Sequence, residues 1–154
     1  MKEIKLSKLV VEGFRGILEP TPLDFEKDCK SIVLFGNNGD GKSSFSEAIE
    51  WYFTDRIDYL GREGCGREDY FNKALPTTED AIVELQLNLP ELNSTKVLKR
   101  KGGREFSNED PKFEWILTKI ANESIILRHD TMREFVDMGK TDKLEEVEKI
   151  IGFG

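Results

Sequence analysis

Apolar and polar positions alternate, with one short apolar run, over Ile4–Phe14, and "GFRG" at Gly13–Gly16 then breaks the pattern. Period two marks a strand buried on at least one face, so a first strand is expected there. After the turn at Pro20 and Pro22, Leu23–Phe25 reads as a short partner strand, and the segment to Lys30 as a polar connection. Ser31–Phe35, "SIVLF", carries a β-branched pair and no charge, the pattern of a buried strand, and it runs straight into a glycine-rich stretch. From Lys42 the period lengthens. Phe45, Ala48, Ile49, Tyr52 and Phe53 recur at spacings of three and four, which predicts an amphipathic helix to about Thr54.

Asp55–Asn72 is rich in glycine and charge and reads as a long surface connection, with a short helix expected from Glu68 through Ala74. Alternation returns in Ala81–Leu89, where Glu84 should face solvent. Thr95–Lys101 and Lys112–Ile120 read as two further strands joined by the polar Gly102–Pro111, giving an antiparallel group. Ser124–Met138 suggests a strand end followed by a helix, and Thr141–Gly154 a last helix with Leu144, Val147, Ile150 and Ile151 on one side, stopped at Gly152.

Composition narrows the class. A length of 154 residues suits one domain, and 38% hydrophobic residues with ten Phe and two Trp can fill a core. No apolar run reaches membrane-spanning length and the start lacks the features of a signal peptide, so the expectation is a cytoplasmic chain without a membrane partner. Cys29 and Cys65 form no CxxC or Cys/His cluster, which argues against zinc and leaves both as free thiols. A net charge of −7 means that any nucleic-acid contact must rest on a local patch.

The chemistry is concentrated in Gly36–Ser43, which matches GxxxxGK[ST] in full. Glycines permit positive φ and close backbone approach, so amides of Asn37, Asn38, Gly39, Asp40 and Gly41 can turn toward phosphate oxygens. The helix that follows presents its positive end to the same anion. Lys42 would reach the β- and γ-phosphates of ATP, the Ser43 hydroxyl would ligate Mg²⁺, and Ser44 could touch an α-phosphate. The bland alternative is a glycine turn that merely caps a helix. The apolar segment before the loop and the amphipathic helix after it favour the nucleotide reading. Asp40 is discordant, because a carboxylate repels phosphate unless it faces solvent.

"LVVEGFRGI" and "NNGDGKSSFSEAIEWYFTD" resemble the N-terminal ATP-binding lobe of the SMC-like ABC ATPases, the group of the chromosome-maintenance, SbcC, RecF and RecN families. The resemblance rests on Phe14-Arg15-Gly16, the loop and Ala48-Ile49. It implies an α/β P-loop NTPase fold, an ABC-ATPase-like half head with a mixed sheet, an antiparallel β subdomain and flanking helices. It also implies that Arg15 lies near the nucleotide; on its own residues Arg15 reads equally as a solvated turn residue. The segment "IILRHDTMREFVDMGKTDKLEEVEKIIGF" is similar to the family's Q-loop region, and the family glutamine, which helps hold Mg²⁺ and the attacking water, falls on His129. Imidazole can ligate a metal or accept a proton, although a lone histidine is more often a surface or packing residue.

Walker B and the signature motif, which complete an ABC hydrolysis site, are not found in these residues. In this family they belong to a C-terminal lobe beyond a long coiled coil. The resemblance therefore implies that residues 1–154 form one nucleotide-binding lobe, that a C-terminal lobe completes the head, and that a second head joins it on ATP binding. Double-stranded DNA is a further implied partner, in repair, chromosome maintenance or anti-phage defence. Two other classes stay open: a small P-loop kinase acting on a metabolite, for which "DRIDYLGREGCGRED" has the composition, and a non-hydrolysing ATP-gated interaction module. Lys96, Lys99, Arg100, Lys101 and Arg104 could meet DNA phosphates or form a solvated turn, the latter favoured by the acids that follow. Arg62 is a candidate for sensing ATP or DNA. Tyr52 lies on the apolar stripe and reads as core rather than as a base-stacking platform.

Overall fold

Leu9 and Val11 alternate inward along β1 (Leu6–Glu12), both fully buried, and this strand is paired on both sides. The computed structural model describes residues 3–25, 31–121 and 135–151. On one side β2 (Thr21–Asp24) runs antiparallel, with Lys8 opposite Asp24; on the other β3 (Ala81–Leu87) does the same, with Val11 opposite Val83. β4 (Ser94–Leu98) and β5 (Arg104–Phe106) extend the sheet to the order β2-β1-β3-β4-β5, antiparallel throughout. Of the sheet architecture expected from the sequence, the described residues show an antiparallel sheet, with no parallel pair among them.

Opposed residues share a face, so the register Leu9–Leu85–Ser94, Val11–Val83–Lys96 and Ala81–Leu98 gathers one buried surface. The helix α1 (Lys42–Thr54) covers it with Ala48, Trp51 and Tyr52. Tyr52 donates its hydroxyl to Ser94 O at 3.3 Å, and burial raises its pKa above the ordinary phenol value. Its ring meets Phe106 and Phe113 edge-on at 5.7 and 6.4 Å. Glu84 lies on the opposite, partly exposed side of β3, as alternation requires.

Lys96 is a surprise within that face. It is fully buried, and its ammonium donates to the Trp51 and Tyr52 carbonyls at 2.6 and 2.8 Å and to Asp55 at 2.6 Å. It lies 4.2 Å from the Trp51 ring centroid. The last carbonyls of a helix carry partial negative charge, and a buried cation satisfies them. Burial nevertheless dominates its titration and pulls the pKa down to about 8, against the opposing attraction of Asp55. Three of the basic residues around it are paired with acids. Lys99 pairs with Glu105 and Asp80, Arg100 pairs with Glu68 and stacks on Phe71, and Arg104 pairs with Asp55.

Several elements differ from the pattern reading, β5 among them, since Gly102–Pro111 reads as a connection. Lys112–Ile120 is not a strand but most of α3 (Pro111–Ala121). Phe113, Ile116, Leu117 and Ile120 fall at spacings of three and four, Pro111 begins the helix, and Asp110 Oδ1 accepts the Lys112 amide at 2.8 Å, as a helix cap does. The connection after α1 holds a short helix, α2 (Asp58–Arg62), and where a short helix is expected from Glu68 through Ala74 there is a 3-10 helix at Arg67–Tyr70. Ser31–Phe35 joins no strand among the described residues, and Val33 and Phe35 are 81% and 92% exposed. Among the described residues no strand pairs with it, and a strand forms only with such a non-local partner. The last helix is α4 (Lys140–Ile151), in which Leu144 is exposed. Cys65 is a free thiol; Cys29 lies outside the described residues.

Candidate functional site

Residues Gly13–Ile17 form a tight turn at the end of β1, with the Ile17 amide donating to Phe14 O at 3.0 Å. Phe14 is fully buried, its ring 5.4 Å from Trp51 of α1. Arg15 has φ 52°, a left-handed conformation uncommon for a non-glycine residue. Its backbone is held at both ends: its amide donates to Tyr70 O at 2.8 Å, and Asn72 Nδ2 donates to Arg15 O at 2.7 Å. The next residue meets the glycine loop. Gly16 N donates to Ser44 Oγ at 2.9 Å, and a Cβ at position 16 would sit 3.0 Å from that oxygen and 3.3 Å from Gly41 Cα. Glycine at 16 is what lets the turn and the loop touch.

The loop then enters α1 through Gly41, whose φ of 79° places it in the left-handed region. No side chain caps the helix and no acidic residue occupies its first turn. Apart from that of Ser44, which donates to Gly41 O at 3.0 Å, its leading amides are open to an anion, which the helix dipole favours. A cleft of about 420 Å³ lies at this point. Asn38, Gly39, Gly41, Lys42, Ser43 and Ser44 line it, and Arg15, Gly16, Glu47 and Tyr59 form the rest of its wall. Lys42 folds over the loop and donates to the carbonyls of Gly36, at 3.0 Å, and Asn37.

Asn37 and Asp40 are not among the lining residues. The Asp40 carboxylate turns back into the loop, where Oδ2 accepts the Asn37 amide at 2.6 Å, and so points away from the cleft lining. Ser44 lines the cleft but is largely buried, and its hydroxyl oxygen is the acceptor for Gly16. Arg62 ends α2, is exposed, and does not line the cleft. His129 lies outside the described residues.

Two wall residues escaped the sequence reading. Glu47 is 3% exposed, with Oε2 accepting Arg15 Nε at 2.7 Å and Oε1 accepting the Tyr59 hydroxyl at 3.0 Å. Burial opposes the Arg15 charge, and the Glu47 carboxylate more than offsets this, so the guanidinium pKa is raised. Burial, and then Glu47, also raise the Tyr59 phenol pKa. A glutamate four residues after Ser43, on the same side of α1 as Ala48 and Trp51, was the available signal. Tyr59 had none, since it lies in a connection without periodicity.

A glycine loop leading into a helix whose amides border a cleft, packed on an antiparallel sheet, defines a P-loop ATPase domain of the ABC head type. The chain belongs to the AAA domain family, whose model matches residues 8–151. It is 27% identical to the chromosome partition protein Smc of Mesomycoplasma hyorhinis over 97% of this chain and 17% of that protein. It is also 27% identical to the DNA replication and repair protein RecF of Rickettsia prowazekii over 89% of this chain and 39% of that one. Among solved structures, the SMC head domain from Thermotoga maritima superposes with a TM-score of 0.51 at 25% identity, covering 77% of this chain and 43% of that domain. The chain is thus SMC/RecF-like, of the ABC ATPase head type, and spans less than half the length of these relatives.

Proposed function

We propose that this chain is the Walker A lobe of a DNA-associated, SMC-like ATPase: it binds ATP with Mg²⁺ in the cleft at the start of α1. A C-terminal lobe with Walker B and the signature motif completes the head, and hydrolysis follows when two heads close on nucleotide. The observation that carries this reading is the cleft itself. Two cations, Arg15 and Lys42, and the uncapped amides of α1 converge there against one lining carboxylate, Glu47, which is already paired. That balance suits a polyphosphate. The Lys42 ammonium, now donating to loop carbonyls, can exchange them for β- and γ-phosphate oxygens by side-chain rotation.

The donor set fits Mg²⁺, a hard cation that takes a hydroxyl, phosphate oxygens and waters; Ser43, in the first turn of α1 and lining the cleft, would hold it. When bound, the ion neutralises charge developing on the transferred phosphoryl group. Glu47 does not serve as the base for water here, because both its oxygens are committed to Arg15 and Tyr59. The exposed apolar segment Ile32–Phe35 supports a second lobe, since apolar runs of this kind are normally covered. Likeness to Smc and RecF supports a setting in chromosome partition or in DNA replication and repair.

Calorimetric titration with MgATP tests the proposal. Micromolar binding by the wild-type chain, lost at least tenfold in Lys42→Ala, is expected, with turnover only after the C-terminal portion of the parent protein is joined. Phosphate transfer to a small acceptor by this chain alone would overturn it.

A further inference from the structure

Arg15 is held by more than its salt bridge. Its Nε donates to Glu47 Oε2 at 2.7 Å, one terminal nitrogen donates to Tyr59 Oη at 2.9 Å, and the other donates to Asp69 O at 2.6 Å. Tyr59 Oη in turn donates to Glu47 Oε1 at 3.0 Å, so the three side chains close a ring of hydrogen bonds. Both carboxylate oxygens and the phenol are consumed by it. A guanidinium has five N–H donors, and among the described residues three are engaged. One donor on each terminal nitrogen remains, on a group that lines the cleft with Lys42 and Ser43. The backbone beneath it is fixed in a left-handed conformation by Tyr70 and Asn72.

We propose that Glu47 and Tyr59 are positioning residues that brace Arg15 against the cleft, presenting its two remaining donors to a phosphate of the bound nucleotide. This rests on the reading of the cleft as an ATP site. Glu47 comes one turn after Ser43 on α1, so the helix that supplies the loop also fixes the arginine across from it. The brace acts through geometry as well as charge. It fixes a planar fork that a lysine cannot reproduce, and it removes rotamer freedom that ligand binding would otherwise have to freeze.

The test is a mutant cycle read by MgATP titration of this chain, with Lys42→Ala as the reference for the loop. Arg15→Ala is expected to weaken binding roughly 10- to 100-fold, the range for charged hydrogen bonds. Tyr59→Phe, which keeps the ring, is expected to weaken it about 3- to 10-fold, and Glu47→Gln by a similar factor. In the Arg15→Ala background neither substitution should weaken binding further. Arg15→Lys should bind nearly as poorly as Arg15→Ala. Equal losses from Tyr59→Phe in both backgrounds would mean that the residue acts on the fold and not through Arg15, and the brace would be overturned. Wild-type affinity in Tyr59→Phe and Glu47→Gln, or its restoration by Arg15→Lys, would overturn it as well. Binding lost in Lys42→Ala together with any of these outcomes leaves the ATP site standing and removes the brace alone; wild-type binding unchanged by Lys42→Ala removes both.

Discussion

Replacing Lys96 by methionine changes one buried cation into an apolar chain of similar length at the C-terminal end of α1. In the wild-type protein the ammonium has a pKa of about 8, lowered from the ordinary 10.5 chiefly by burial. Below pH 8 the folded and unfolded chains both hold the proton, and Lys96 adds no pH dependence. Between about pH 8 and 10.5 the unfolded chain still holds it while the folded one has lost it. Stability then rises with pH. At about 1.4 kcal/mol per pH unit, the whole window amounts to roughly 3 kcal/mol, of which about 2 kcal/mol falls between pH 7 and 9.5. The methionine variant lacks this slope. Asp55 keeps Arg104 at 3.0 Å, and Trp51 O keeps the Asp55 amide at 2.9 Å, so the substitution strands only the Tyr52 carbonyl. At neutral pH it should lie roughly 1 to 3 kcal/mol below wild type, the cost of leaving that buried carbonyl without a donor. Urea unfolding followed by tryptophan fluorescence, repeated at steps from pH 7 to 9.5, gives both curves. The raised Tyr52 pKa acts in the opposite sense above pH 10 and is common to both proteins. Parallel curves, or a wild-type stability that falls relative to the variant as pH rises, would refute the reasoning.

A methyl group at position 16 would press on Ser44 Oγ and Gly41 Cα, so Gly16→Ala should lower MgATP affinity about tenfold and cost roughly 1 to 3 kcal/mol in urea unfolding. Phe113→Ala removes a ring packed on Tyr52 and Phe106, and a loss of roughly 3 to 5 kcal/mol is expected in the same assay; a loss under 1 kcal/mol would argue against α3 packing on that core. Phe35→Ser combined with Val33→Thr should reduce self-association of this chain, read by light scattering across a concentration series, because both side chains face solvent.

Local signals were enough for several parts of the structure. Alternation located β1, β3 and β4, the 3.6 period located α1, and the glycine loop with Lys42 and Ser43 named the cleft. Where they misled, a longer-range interaction had the deciding part. The apolar run Ser31–Phe35 has the composition of a buried strand, but composition carries no address for its partner. Lys112–Ile120 satisfies both periods loosely, and the cap at Asp110 and packing against Tyr52 made it a helix. Lys96 sits in a basic stretch that looks solvated, and only the register with Val83 turned it inward.

What the residues by themselves determined is the chemistry at the start of α1: the glycines, the lysine and the hydroxyls are contiguous, so glycine backbone freedom and hydrogen bonds from Asp40 and Lys42 shape the loop locally. The tertiary structure decided what surrounds it. Arg15 lies 32 residues from Glu47, and Glu47 lies 12 from Tyr59, with no common pattern, and they meet because the β1 turn, α1 and α2 are each anchored to the same core. Side-chain pairing across such distances depends on how elements pack, and periodicity along a chain does not encode it.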